Sequence, residues 1–186
     1  DNTAVGKDAL TAATTGNYNI AFGTALASTT TGAQNVAVGF AALGSNTTAN
    51  GNTAVGDYAL NANTTGASNV AVGKNSLDAN TTASNNTAVG YNALTANTTG
   101  TQNVAVGTSA GGALTTGGYS VAIGAYALDA ATTANYNVAV GREALSSVTT
   151  GDSNVGIGRN AGSSITDGTE NTAVGATALD ALTTAS

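Results

Sequence analysis

The residues able to do chemistry in this chain are few, and their spacing excludes most of it. The carboxylates are Asp1, Asp8, Asp57, Asp78, Asp129, Glu143, Asp152, Asp167, Glu170 and Asp180. Asp78, Asp129 and Asp180 occupy one column of an internal repeat, but three units apart. At about 4.8 Å per stacked unit that is roughly 14 Å, too far for a paired acid and base. Calcium needs several converging oxygens, so these carboxylates read as solvated surface. The sequence has no His and no Cys, which removes the common zinc, haem and iron–sulfur ligands, the Ser–His and Cys–His nucleophile pairs, and disulfides. No Gly-Lys-Ser or Gly-Lys-Thr phosphate loop occurs. The expectation is a non-enzymatic chain with no catalytic, cofactor-binding or metal residues.

Lys7, Lys74, Arg142 and Arg159 are the only basic residues, too few to neutralise a nucleic-acid backbone. No run approaches 18 apolar residues, so no membrane insertion is expected. Asn46, Asn63, Asn80 and Asn97 each head an Asn-x-Thr acceptor, which a repeat containing Asn-Thr-Thr generates automatically. Tyr119 and Tyr136 share a column in adjacent units, with Tyr18 in the same column far away. They are the candidate surface contact, able to grip a sugar or a protein, although tyrosines so placed more often simply stack as a ladder.

What positions these groups is the repeat. Asn-[Val/Thr]-Ala-Val-Gly returns with its Gly at 6, 23, 39, 56, 73, 90, 107, 124, 141, 158 and 175, giving eleven units of 17 residues with one of 16. The array covers residues 1–186 with no linker or second domain, and its register would close from Ser186 back to Asp1. Uncapped end coils are therefore expected, either as an excerpt of a longer chain or as subunits stacking head to tail through open strand edges.

Each column of the unit carries one reading. Val5, Phe22, Val38, Val55, Val72, Val89, Val106, Ile123, Val140, Ile157 and Val174 precede the motif Gly and are always large and apolar. They are assigned to a core ladder. The Ala two places before that Gly, replaced only by Gly156, is expected to press against another surface: a second strand layer or a neighbouring chain. Leu follows four residues after the Gly in most units, and where Gly111 and Gly162 replace it, Leu114 and Ile165 appear three places later. That exchange marks a packing slot that must be filled.

Thr-Thr-[Gly/Ala] supplies a turn. Asn2, Asn19, Asn35, Asn52, Asn69, Asn86, Asn103, Asn137, Asn154 and Asn171 precede the strand and should stack as an amide ladder, with Ser120 as the exception. Seventeen residues are too few for a strand, a helix and two turns. The spacing predicts an all-β parallel β-solenoid (β-roll) of eleven coils of about 17 residues: a strand across the motif, a short second strand around Ala-Leu, and a turn at Thr-Thr-Gly. Such a rod would be on the order of 50 Å long.

Asn-Val-Ala-Val-Gly-x-x-Ala, as at residues 35–42 and 137–144, resembles the head repeats of trimeric autotransporter adhesins. Ser120-Val121-Ala122-Ile123-Gly124-Ala125-Tyr126-Ala127 is nearly a literal match to their unit. Asn-Thr-Ala-Val-Gly-Tyr-Asn-Ala-Leu, residues 86–94, is similar to repeats of bacteriophage tail-fibre-like proteins. The resemblance covers all eleven units, which are longer than the adhesin head units by the Thr-Thr-Gly turn. It implies a left-handed β-roll with three chains side by side.

Taken with the repeat, this points to a structural shaft segment of an extracellular fibre or filament, at a cell surface or on a virion. Its expected partners are further copies of itself, in a lateral trimer or stacked head to tail, and a cell-surface or carbohydrate receptor. The alternative is an ice-binding solenoid using Thr ladders. Against it, ice-type arrays place Thr at i and i+2, whereas adjacent Thr-Thr residues point to opposite sides of a strand or sit in a turn.

Overall fold

The computed structural model describes residues 1–184. Eleven three-residue strands lie in chain order in one parallel sheet: β1 (Thr3–Val5), β2 (Ile20–Phe22), β3 (Val36–Val38), β4 (Thr53–Val55), β5 (Val70–Val72), β6 (Thr87–Val89), β7 (Val104–Val106), β8 (Val121–Ile123), β9 (Val138–Val140), β10 (Val155–Ile157) and β11 (Thr172–Val174). Each repeat unit is one coil of a β-solenoid, and no helix occurs among the described residues. Val38, Val55 and Val72 are direct partners on successive strands, as the 17-residue register requires. The 16-residue unit is absorbed without a slip, since Ile20, Ala21 and Phe22 pair with Val36, Ala37 and Val38.

The interior is narrower than the sequence reading supposed, and this inverts one assignment. The column Val5, Phe22, Val38, Val55, Val72, Val89, Val106, Ile123, Val140, Ile157 and Val174 stacks as a ladder but lies on the outer face of the sheet, Val55 and Val72 being 36% exposed and Phe22 42%. It is not the core. The middle residue of each strand, Ala except at Gly156, points inward instead, the Ala residues from Ala21 to Ala173 being 0–3% exposed. The cause is steric. A coil of 17 residues encloses one file of small strand side chains plus one Leu per turn, so the strand turns its methyl groups inward and its valines out.

Even a methyl group is tight there. A Cβ on Gly156 would come within 2.7 Å of Leu145 Cγ and 2.9 Å of the Ala161 carbonyl oxygen. The closely approached surface expected for this column is thus the opposite wall of the same coil.

The short second strand expected around Ala-Leu is also absent, replaced by a turn. Its Leu residues have left-handed backbone, with φ 49° at Leu43, 52° at Leu60 and 54° at Leu128. This costs an L-residue about 1–2 kcal/mol. Burial offsets it, because the same Leu side chains are among the largest fully buried groups. Gly111 and Gly162 hold this backbone position at φ 58° and 63°, where glycine carries no steric penalty. The lost volume then arrives from Leu114 and Ile165, at 1% and 0% exposure, so the packing slot is real.

Coil-to-coil backbone bonding continues through this turn. Leu43 N–H donates to the Ala59 carbonyl (3.0 Å), Leu60 to Ser76 (3.0 Å), Ala62 to Asp78 (3.1 Å), and Thr47 to Thr64 (3.1 Å).

The motif Gly ends each strand at a φ that other residues rarely adopt, 135° at Gly56 and 132° at Gly73. A Cβ on Gly56 would lie 2.6 Å from the Gly73 carbonyl oxygen. The glycine column is therefore set by the approach of consecutive backbones as well as by dihedral freedom.

Candidate interaction faces

Three sets of side chains bear on function: the amide ladders inside the rod, the exposed sheet face, and the threonine file on the opposite side. The first is structural. From Asn19 to Asn154 each strand-leading Asn lies inside the coil and bonds in two directions. Asn52 Nδ2 donates to the Gly66 carbonyl (2.8 Å), clasping its own coil shut, while Asn52 Oδ1 accepts the Asn69 N–H of the next coil (2.9 Å). The same pair of bonds recurs at Asn19, Asn86, Asn137 and Asn154. The expected Asn ladder exists, and it includes a bracing role that column stacking alone does not reveal.

A second amide ladder was not read from the sequence as one. Asn46, Asn63, Asn80 and Asn97 are fully buried. Asn63 Nδ2 donates to Asn46 Oδ1 (3.2 Å) and to the Gly66 carbonyl (2.9 Å), and Asn80 and Asn97 repeat the pattern. These are the residues that head the Asn-x-Thr acceptors. Their amides are committed inside the rod, unreachable in the folded state by an enzyme that would glycosylate them. An exposed acceptor in the sequence is Asn85, in Asn85-Asn86-Thr87.

The sheet face carries the chain's bulk and all its positive charge. Each strand presents its first and third residues outward, and the flanking columns add rings and cations. All eight aromatic residues (Tyr18, Phe22, Phe40, Tyr58, Tyr91, Tyr119, Tyr126, Tyr136) lie on the sheet or within three residues of a strand end. All four basic residues, Lys7, Lys74, Arg142 and Arg159, occupy the single column after the motif Gly. The remaining nine columns hold only Ala, Leu, Ile, Val, Gly, Ser, Thr, Asn and Asp. Because a unit is one coil, this column bias becomes a spatial one: a bulky face on one side of the rod and a small-residue back. The signal was present in the sequence and needed only the columns to be compared with one another.

Tyr119 and Tyr136, both exposed, stack at 5.1 Å between centroids and 16° between planes. Each ring turns one face to the other, leaving edges and hydroxyls for outside contact. Tyr18 is not part of this pair. Phe40 and Tyr58 meet edge to face at 5.3 Å.

On the back, Thr15, Thr31, Thr48, Thr65, Thr82, Thr99, Thr116, Thr133, Thr150 and Thr184 form an exposed file interrupted by Asp167. The preceding Thr column is tied down, Thr47 Oγ1 donating to the Thr64 carbonyl (3.2 Å) and Thr64 Oγ1 to Thr81 (3.0 Å). From residues 14–15 to 149–150 both threonines of each pair sit at a bend outside the strands.

Asp78 and Asp129 are partly buried, and that burial raises both carboxyl pKa values above 3.8; for Asp129 the Glu143 charge adds to it. Among the described residues no group of three or more His, Cys, Asp or Glu side chains is placed to hold a metal ion, and no helix is long and apolar enough to cross a membrane. No family model matches the chain, and no curated protein or solved structure is found similar to it.

Proposed function

We propose that this chain is a non-enzymatic shaft segment of an extracellular fibre or filament, adhesin-like or tail-fibre-like, of the kind displayed at a cell surface or on a virion. The observation that carries the reading is the one-sided rod. An eleven-strand ladder with bonds along its axis presents an outward face of Val, Ile and Phe22 with Thr at Thr3, Thr53, Thr87 and Thr172, and every ring and every cation lies on it or in the columns beside it. Tyr, Phe and Arg are the residue types enriched in protein interfaces, and contiguous apolar patches on a surface mark interaction sites. Lateral association of copies through this face, or head-to-tail stacking of coils, would build the fibre. The tyrosine border would contact a cell-surface or carbohydrate receptor.

The test is the solution mass and particle shape of the chain and of Val72→Lys/Val106→Lys. Wild type should form oligomers or elongated particles. The double variant places two charges on the face without touching the interior, so its circular dichroism should be unchanged. If assembly is lateral it falls to monomer; if it survives unchanged, stacking is the mode. A wild-type chain that stays a compact monomer at all concentrations overturns the proposal.

One observation favours a second reading, an ice-binding solenoid: the file of exposed threonines at the coil repeat. Thermal hysteresis and inhibition of ice recrystallisation by the wild type, both abolished in Thr65→Tyr/Thr99→Tyr, would move the assignment there.

A further inference from the structure

Through the coils before residue 107 the interior is held by three files: the turn Leu, the clasping Asn and, from Asn46 to Asn97, the second Asn. All three change within one stretch. At residues 107–120 the turn Leu is replaced by Gly111. The second amide ladder ends at Asn97 because the next coil supplies Leu114, and among the described residues Asn97 Oδ1 is the buried side-chain atom left without a hydrogen-bond partner. The clasping Asn is replaced by Ser120, whose Oγ turns to the Gly118 carbonyl (3.3 Å) and accepts the Asn137 N–H (3.2 Å). It therefore leaves the buried Ala134 carbonyl without the side-chain amide that the equivalent Gly66, Gly100 and Gly151 receive.

The same stretch contains Gly107, Gly111, Gly112, Gly117 and Gly118, and glycine loses more conformational freedom on ordering than other residues. Beyond it the second-ladder position is apolar, with Val148 and Ile165 fully buried. The backbone ladder crosses without a gap: Gly111 N–H donates to Ala127 (2.9 Å), Ala113 to Asp129 (3.1 Å) and Thr115 to Thr132 (2.8 Å).

We infer that residues 107–120 are a yield point built into the rod, dividing it into two cooperative blocks: one before it whose second-ladder position is Asn from Asn46 to Asn97, and one after it where that position is apolar while the clasping Asn ladder resumes at Asn137 and Asn154. In a solenoid each coil contacts only its neighbours, so stability is a sum of coil and interface contributions. A coil that loses side-chain ties on both sides is where local opening is cheapest. The backbone bonds keep the rod continuous until the joint opens. The inference rests on the interior alone and does not depend on what the outer faces bind.

Hydrogen exchange of the folded full chain tests it. Ladder amides within residues 107–120 should exchange about tenfold or more faster than those of residues 36–72 and 138–157, and urea should resolve two unfolding transitions. Gly111→Leu/Leu114→Asn/Ser120→Asn, which restores the prevailing residue in all three files, should slow exchange there by about tenfold and merge the transitions. Ser120→Asn alone, the smallest change, should slow it several-fold and gives a readout should the triple variant fail to fold. Protection at 107–120 equal to the flanking coils overturns the inference. So does fast exchange there that neither variant slows, because the weakness would then lie outside these ladders.

Discussion

Two chemically identical substitutions should differ in cost because of what each leaves behind. In Asn137→Ala, the Gly151 carbonyl loses the Nδ2 donor at 2.9 Å and the buried Asn154 N–H loses its Oδ1 acceptor at 2.8 Å. Position 148 on that coil is Val, so no second amide reaches Gly151. In Asn69→Ala the Asn86 N–H is likewise orphaned, its acceptor having been at 2.9 Å. The Ala83 carbonyl is not, because Asn80 Nδ2 also donates to it at 3.1 Å. A buried polar group left without a partner costs about 1–3 kcal/mol. Asn69→Ala should therefore cost about 1–3 kcal/mol and Asn137→Ala, with two orphans, about 2–6 kcal/mol. Volume loss is the same in both, so the difference of about 1–3 kcal/mol isolates the carbonyl.

Asn137→Ser is the internal control. Ser120 shows that a serine here keeps the acceptor and loses the clasp, so its cost should fall near that of Asn69→Ala. Urea unfolding followed by circular dichroism, with the transition of the block containing each site analysed separately, gives the numbers. The reasoning is refuted if Asn69→Ala costs as much as Asn137→Ala, or if both stay within about 0.5 kcal/mol of wild type, the range of an ordinary surface change.

Gly73→Ala should destabilise by about 2–4 kcal/mol or prevent folding, since its Cβ would sit 2.5 Å from the Gly90 carbonyl oxygen at a φ of 132°; a melting temperature within a degree of wild type contradicts the close approach. The pH dependence follows from Asp78 and Asp129, whose carboxyls are raised in the folded chain by burial, with the Glu143 charge adding at Asp129. A raised carboxyl pKa means the folded state holds its proton more tightly than the unfolded state, so ionisation weakens folding as pH climbs past 3.8. Asp78→Asn and Asp129→Asn should accordingly stabilise the rod at pH 7 and lose that advantage at pH about 3. Thermal melts of each variant and wild type at both pH values check the sign, and a larger gain at the acid end would reverse it.

The register was legible in the sequence because it is a one-dimensional property. A motif returning every 17 residues leaves one economical way to stack, and Val38, Val55 and Val72 pair as their spacing requires. The Asn column, the motif Gly and the exchange of Leu for Gly111 with Leu114 were legible for the same reason, since each repeats or compensates in a fixed column. Which side of the strand faces inward is not a property of any column. Val and Ala alternate equally well with either one inside, and ordinary hydrophobicity assigns Val to the core. The circumference of a 17-residue coil decides otherwise: with Leu already crossing the interior, there is width left for Ala21 through Ala173 and none for a file of valines. The same closure buries Asn46, Asn63, Asn80 and Asn97, which local sequence presents as surface acceptors. It also draws the turn Leu residues into left-handed backbone, which no local propensity favours and which only the burial of their side chains can offset.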